Sequence, residues 1–358
     1  MLYLRRITGL SSPKQRTCQM KTSARVQTCG KLYLAGEYAV LTTGQPAIIK
    51  AIPIYMTAEI QAASAYRLTS DMFEHSASLE PDPDYALIQE TVAVMNDYLQ
   101  VLGYQLQPFS LKISGKMERD GKKFGIGSSG SVVILTIKAM AALYELDLEP
   151  KLLFKLASYV LLKRGDNGSM GDLACIAFED LIYYRSFDRE LVRKRMGKVY
   201  LQQLLAEDWG FEIRSIKPCL AMDFLVGWTK QPAISKDLVN QVKSAISESF
   251  LTGSRTQVDA LEKALLAGDK LAIQSSMEKA SQLLETLSPA IYTDRLKVLK
   301  EAAEGLNCVA KSSGAGGGDC GIALSFDVAS SNQLIQAWQE AGIELLYRER
   351  MGHDEPES

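Results

Sequence analysis

The chain has 358 residues, 47% of them hydrophobic and 23% charged, the balance of a folded soluble protein with room for two domains at about 100–200 residues each. A formal net charge of -2 supplies no global field for nucleic acid or an anionic membrane, so neither is expected as a partner, and an anionic substrate needs a local basic site. Six scattered cysteines without a C-x-x-C pair, and two histidines, argue against a zinc centre and for a reducing, cytoplasmic setting.

The first stretch, MLYLRRITGLSSPKQRTCQM, has neither the apolar run nor the small-residue cleavage site of a signal peptide. Residues 1–20 are expected to be a disordered extension, with Met20 as the functional start. Strand signals follow in KLYLAGEYAVL and AIPIYMTAEIQA, where Ile54, Met56, Ala58 and Ile60 alternate with Tyr55, Thr57, Glu59 and Gln61, the period of a half-buried strand. PDPDYALIQETVAVMNDYLQVLG places Ile88, Val92, Met95, Leu99 and Leu102 at helical spacing, with Asp84 as a cap and Gly103 as a stop. FSLKISG reads as a short strand.

Next comes KKFGIGSSGSVVILTIKAM, in which residues 125–130 satisfy G-x-G-x-x-G. A Rossmann turn would follow a buried strand and be answered by an acidic residue at a strand end about 20 positions on. Here the approach, ERDGKK, is charged, and Asp147 and Glu149 fall between helical patterns. The protein-kinase loop is excluded because no V-A-I-K, H-R-D or D-F-G is present, and Walker A because no G-x-x-x-x-G-K-[ST] exists. The residues after Gly130 are apolar nearly all round, so a buried helix points its N-terminus at the loop. Glycines let successive N–H groups converge on an anion there; a plain helix entry with serine caps is the alternative. The apolar run is broken by Lys138 and is too short for a membrane span of about 20 residues.

Helices are expected over residues 151–163 and from Asp172 onward, a strand in CLAMDFLVGWT, and helices again over about residues 236–306. KSSGAGGGDCG then leads into a strand, IALSF, a helix, NQLIQAWQEAG, and a last strand, IELLYRER. That second glycine cluster is either a linker or a tight loop bringing backbone close to a ligand. Strands before and after a helical block indicate two α+β domains, divided between residues 181 and 220.

KLYLAGEYAVL, KFGIGSSGS and SSGAGGGDCG resemble, in order, the three signature motifs of the GHMP kinase superfamily. From about Met20 onward the chain is similar to the bacterial phosphomevalonate kinases of streptococcal and enterococcal type, notably in GEY and LLKRGDNGSMGDLA. Ile126 and Gly130 stand where the middle motif usually has Leu and Ala. The resemblance implies a two-domain α+β fold: a domain like ribosomal protein S5 domain 2, the ATP-binding part, over residues 21–200, and a ferredoxin-like domain over 201–358. It implies Mg²⁺- and ATP-dependent phosphorylation of (R)-5-phosphomevalonate to the diphosphate in isoprenoid biosynthesis, by a monomer or weak homodimer. Mevalonate or homoserine as acceptor, or a non-catalytic relative, are the rival readings.

Residue by residue, the resemblance assigns Lys31 and Asp172 to catalysis, against a solvated lysine and a helix cap. Gly125, Ile126, Gly127, Ser128, Ser129, Gly130 and Ser131 would hold the ATP phosphates, with Ser129 on Mg²⁺. Glu37, Tyr38, Lys123, Ser169, Ser235, Ser313, Gly314 and Ala315 would contact the acceptor.

Overall fold

The computed structural model describes residues 21–115, 117–233 and 235–353; the extension expected at residues 1–20 lies outside them. In chain order the first half runs β1 (Ser23–Ala35), β2 (Pro46–Ala62), β3 (Arg67–Ser70), α1 (Ala86–Val101), β4 (Phe109–Ser114), β5 (Glu118–Arg119), β6 (Lys122–Lys123), α2 (Ser128–Leu143), α3 (Pro150–Lys163) and α4 (Gly171–Phe178). β7 (Leu181–Arg185), α5 (Arg189–Arg195), α6 (Leu201–Ala206) and β8 (Glu212–Ser215) follow. The remainder is β9 (Met222–Trp228), α7 (Ser235–Lys243), α8 (Glu248–Ala267), α9 (Lys270–Leu287), α10 (Asp294–Glu301), β10 (Cys308–Ser312), β11 (Cys320–Ser325), α11 (Val328–Glu340) and β12 (Glu344–Met351).

β2 organises the first sheet. Along one edge it pairs antiparallel with β1, from Ser23 opposite Gln61 to Ala35 opposite Ile48. Its other edge is shared by β4, opposite Thr57 to Ala62, and β7, opposite Pro46 to Lys50. β3 adds in parallel to β4 and β8 antiparallel to β7. The expected alternation holds: Met56, Ala58 and Ile60 are buried while Tyr55, Glu59 and Gln61 are exposed. α2 crosses this sheet, apolar all round and buried at nearly every position from Gly130 to Leu143, as its sequence requires. α1 buries Ile88, Val92, Met95 and Leu99, and Gly103 at φ 87° closes its end. Asp84 does not cap it, however: Tyr85 holds the N-cap position, and Leu102 is exposed beyond the last turn.

The second sheet, β10-β11-β9-β12, is antiparallel throughout. Trp338 of α11 and Leu299 of α10 pack directly on the backbone of Gly227, where a Cβ would lie 3.1 and 2.9 Å from them. The first sheet takes its last strand from Glu212–Ser215 and the second its first from Met222–Trp228. The change of sheet therefore falls later than the division expected at residues 200 and 201, because α6 and β8 complete the first sheet. No described helix is long and apolar enough to cross a membrane.

Candidate active site

Side chains two apart on a strand share a face, and β1 uses this to present Lys31 and Tyr33 together. The Lys31 ammonium lies 3.2 Å from Oδ2 of Asp172 and 5.0 Å from the centroid of the Tyr33 ring. The Tyr33 hydroxyl donates to Oδ1 of the same carboxylate at 3.1 Å. Burial first, then the charge of Asp172, pushes the Tyr33 phenol well above its ordinary 10.0, so it stays protonated and acts as a donor. Asp172 sits in the first turn of α4, but the N-cap position belongs to Met170, at φ 66°. Both carboxylate oxygens face Lys31 and Tyr33, so the cap reading of Asp172 gives way to an ion pair. Ser169 lies behind it, its Oγ 3.4 Å from the Tyr33 hydroxyl and accepting from the Gly171 N–H at 3.1 Å.

The glycine loop closes over this pair. The Lys31 N–H donates to the Ile126 carbonyl at 2.9 Å, which docks the loop on β1. Gly127 is the N-cap of α2 at φ 94°, and a Cβ there would stand 3.0 Å from Cε of Lys31 and 3.7 Å from Oδ2 of Asp172. The free N–H groups of the first turn of this 16-residue helix thus open beside the ammonium, with the partial positive charge of a helix start. Ser129 is exposed at that opening and Ser128 half-buried. Gly130 lets α4 approach, since a Cβ there would be 3.3 Å from Leu173 and 3.7 Å from Cβ of Asp172.

Two residues expected on the phosphates face the other way. Ile126 is wholly buried against Gly30. Ser131 is wholly buried too, its hydroxyl donating to the Cys29 carbonyl at 3.1 Å. They hold the underside of the loop: the helical turn that opens the Gly127 end rotates position 131 into the core.

The third motif is the connection between β10 and β11. Ser313 accepts from the Tyr33 N–H at 2.8 Å and donates to the Tyr33 carbonyl at 2.9 Å, so its hydroxyl braces β1. Tyr38 donates to the Ala315 carbonyl at 2.5 Å, and Glu37, nearly inaccessible, pairs with the fully buried Lys311. Both were expected to line the acceptor pocket; in the structure both tie the first motif to the third. Gly314 and Ala315 remain half-exposed. Ser235 is the first residue of α7. At the far end of the motif, a Cβ on Gly125 would overlap the Asp319 carboxylate. Burial raises the Asp319 carboxyl above its ordinary 3.8; the Ala233 N–H and the ammoniums of Lys31 and Lys123 temper the rise. Lys123, exposed on β6, therefore shares one electrostatic neighbourhood with Lys31, Asp319 and the glycine loop.

The GHMP kinases N terminal domain matches residues 86–180, and the GHMP kinases C terminal domain matches residues 261–344. The phosphomevalonate kinase of Streptomyces sp. (strain CL190) is 31% identical, over 88% of this chain and 93% of its own length. The chain belongs to the GHMP kinase family. The Streptococcus pneumoniae phosphomevalonate kinase in complex with phosphomevalonate and AMPPNP superposes with a TM-score of 0.91 at 58% identity, covering 92% of this chain and all of that one. The Methanococcus jannaschii mevalonate kinase, at 23% identity and a TM-score of 0.69, shares the fold. The two-domain α+β architecture and the kinase activity read from the three motifs are those of this GHMP kinase.

Three residues of the site escaped the sequence reading. Tyr33 carried a usable signal, its position two residues from Lys31 on one strand. Asp319 stands inside the third glycine motif, where an acidic residue next to the glycines is the signal. Lys311 had no signal, because burial of a lysine depends on where β10 lands.

Proposed function

We propose that this GHMP kinase transfers the terminal phosphoryl group of ATP to the phosphate of (R)-5-phosphomevalonate, giving (R)-5-diphosphomevalonate and ADP in the mevalonate route to isoprenoids. The observation that carries this reading is the Lys31–Asp172 pair, 3.2 Å apart, set at the open N-terminus of α2. Identity of 58% to a kinase seen with phosphomevalonate and AMPPNP supports the choice of acceptor.

In this reading Gly125, Gly127, Ser128, Ser129 and Gly130 receive the ATP phosphates through backbone N–H groups and hydroxyls. An acceptor oxygen attacks the terminal phosphorus, the bond to the bridging oxygen breaks, and ADP leaves with that electron pair. Lys31 offsets the negative charge that develops on the transferred group. The second pKa of a phosphate monoester is about 6, so the attacking oxygen is already mostly ionised at neutral pH and no proton has to be removed. Asp172 then serves to aim Lys31. Lys123 answers the acceptor phosphate, with Ser169, Gly314 and Ala315 on the acceptor side.

The donor set bordering the loop, the Ser129 hydroxyl with the carboxylates of Asp172 and Asp319, is all oxygen and suits Mg²⁺, which keeps several waters and needs few protein ligands. Ser129 would hold the ion, and bound Mg²⁺ would supply charge neutralisation between the phosphates. ADP release measured with 5-phosphomevalonate, mevalonate and homoserine in parallel tests the reading. Activity confined to the first supports it; a preference for either alcohol, or no ADP with any acceptor, overturns it.

A further inference from the structure

An exposed lysine–aspartate pair is worth little and wanders, yet Asp172 is 40% exposed in its side chain while Lys31 is 6%. Something must hold the carboxylate if it is to aim the ammonium. We propose that Tyr33 is a positioning residue: its hydroxyl clamps Oδ1 of Asp172, so that Oδ2 stays on Lys31 and the ammonium points at the phosphoryl group in flight. The inference rests on the phosphoryl-transfer reading above.

Three features of the fold serve this contact. One side chain, Ser313, holds both the N–H and the carbonyl of Tyr33, at 2.8 and 2.9 Å. That grip ties the phenol's register to the third motif. Gly171 leaves room for the hydroxyl, since a Cβ there would lie 2.6 Å from it. The ring also underlies the Lys31 ammonium at 5.0 Å, so one side chain touches both members of the pair. With Oδ1 on the phenol and Oδ2 on the ammonium, the carboxylate is fixed in orientation at both of its oxygens.

Tyr33→Phe keeps the ring and removes the clamp. Losing a hydrogen bond to a charged group is worth about tenfold or more, so kcat with 5-phosphomevalonate should fall by about that factor while KM for ATP stays within about twofold. In an Asp172→Ala background the same substitution should cost less than about twofold, because the group it acts through is gone. A Tyr33→Phe enzyme with wild-type kcat overturns the assignment. So does one whose loss persists in full without Asp172, as expected of a residue that merely supports the fold. Wild-type enzyme inactive on 5-phosphomevalonate would instead remove the functional reading, and the parallel wild-type assay separates the two failures.

Discussion

Replacing Lys311 by Met should destabilise this kinase far more than an ordinary lysine substitution. Lys311 is wholly inaccessible and Glu37 is 4% exposed; the ammonium pairs with Oε1 of Glu37 and donates to the Ser312 carbonyl at 2.7 Å. Met fills most of the volume but leaves a carboxylate without its counterion in a dry interior. Stranding one member of a buried pair costs about 3–5 kcal/mol, a large share of the roughly 5–15 kcal/mol that holds a typical domain folded. At about 2–4 °C per kcal/mol for a cooperative unit of this size, the melting temperature should drop by roughly 6–20 °C in scanning calorimetry. Glu37→Met/Lys311→Met should recover most of the loss, since a buried pair exchanged for apolar groups of similar size is often neutral. A drop under about 2 °C, or a double variant no more stable than the single one, would refute the claim that the pair is dry and mutually dependent.

Asp172→Asn should lower kcat by about 100-fold or more while leaving the affinity for an ATP analogue within a few-fold; wild-type turnover would leave Asp172 a structural role only. Lys123→Met should raise KM for 5-phosphomevalonate by about 10–150-fold, the worth of a charge-assisted bond to phosphate. A rise in KM for ATP instead would move Lys123 to the nucleotide. The Asp319 carboxyl is raised by burial above 3.8, so its contribution to stability is full below that pH and is lost as pH rises through the raised value. Asp319→Asn lacks that loss, and its melting temperature should gain on the wild type from acid pH to neutrality; a constant gap across that window would contradict the burial argument.

What could be read from the sequence was whatever depends on local spacing. The alternation from Ile54 to Gln61 gave a strand because the rule needs only the chain itself, and the apolar run after Gly130 gave α2 for the same reason. Lys31, Gly127 and Asp172 were reached through motifs and do meet, within 3.2 Å in the case of the ion pair. Other polar residues of the motifs have partners that no local rule foretells. Glu37, Tyr38, Ser131 and Ser313 are polar residues inside motifs, and polarity invites a ligand role, yet each is satisfied by a partner far along the chain. The separations are 103 residues or fewer for Ser131 and more than 270 for the other three. Such pairings follow from how α2 and the β10–β11 segment pack on β1 and the turn after it, which no local pattern encodes.

If the loop receives phosphates as proposed, the charges explain why it is made of glycine. Lys31 and Lys123 bring two positive charges to the site, and Asp172 and Asp319 bring two negative ones, with both ammoniums already drawn on by Asp319. Side chains alone therefore leave the site close to neutral, while each phosphate monoester brings about -1.5 to -2 at neutral pH. Further lysines would crowd the transferred group and hold substrate and product as firmly as the transition state, which lowers KM without raising kcat. Backbone N–H groups at a helix start carry partial charge in fixed directions and need no reorganisation during the reaction. They reach phosphate oxygens only if nothing projects from the intervening Cα atoms. At Gly125 a Cβ would overlap Asp319, and at Gly127 it would stand 3.0 Å from the Lys31 side chain. A side chain at either position would displace the very groups that the loop and β1 bring together. In the proposed reading the glycines thus serve two demands at once: access for the phosphates, and close approach of the aspartate and lysine.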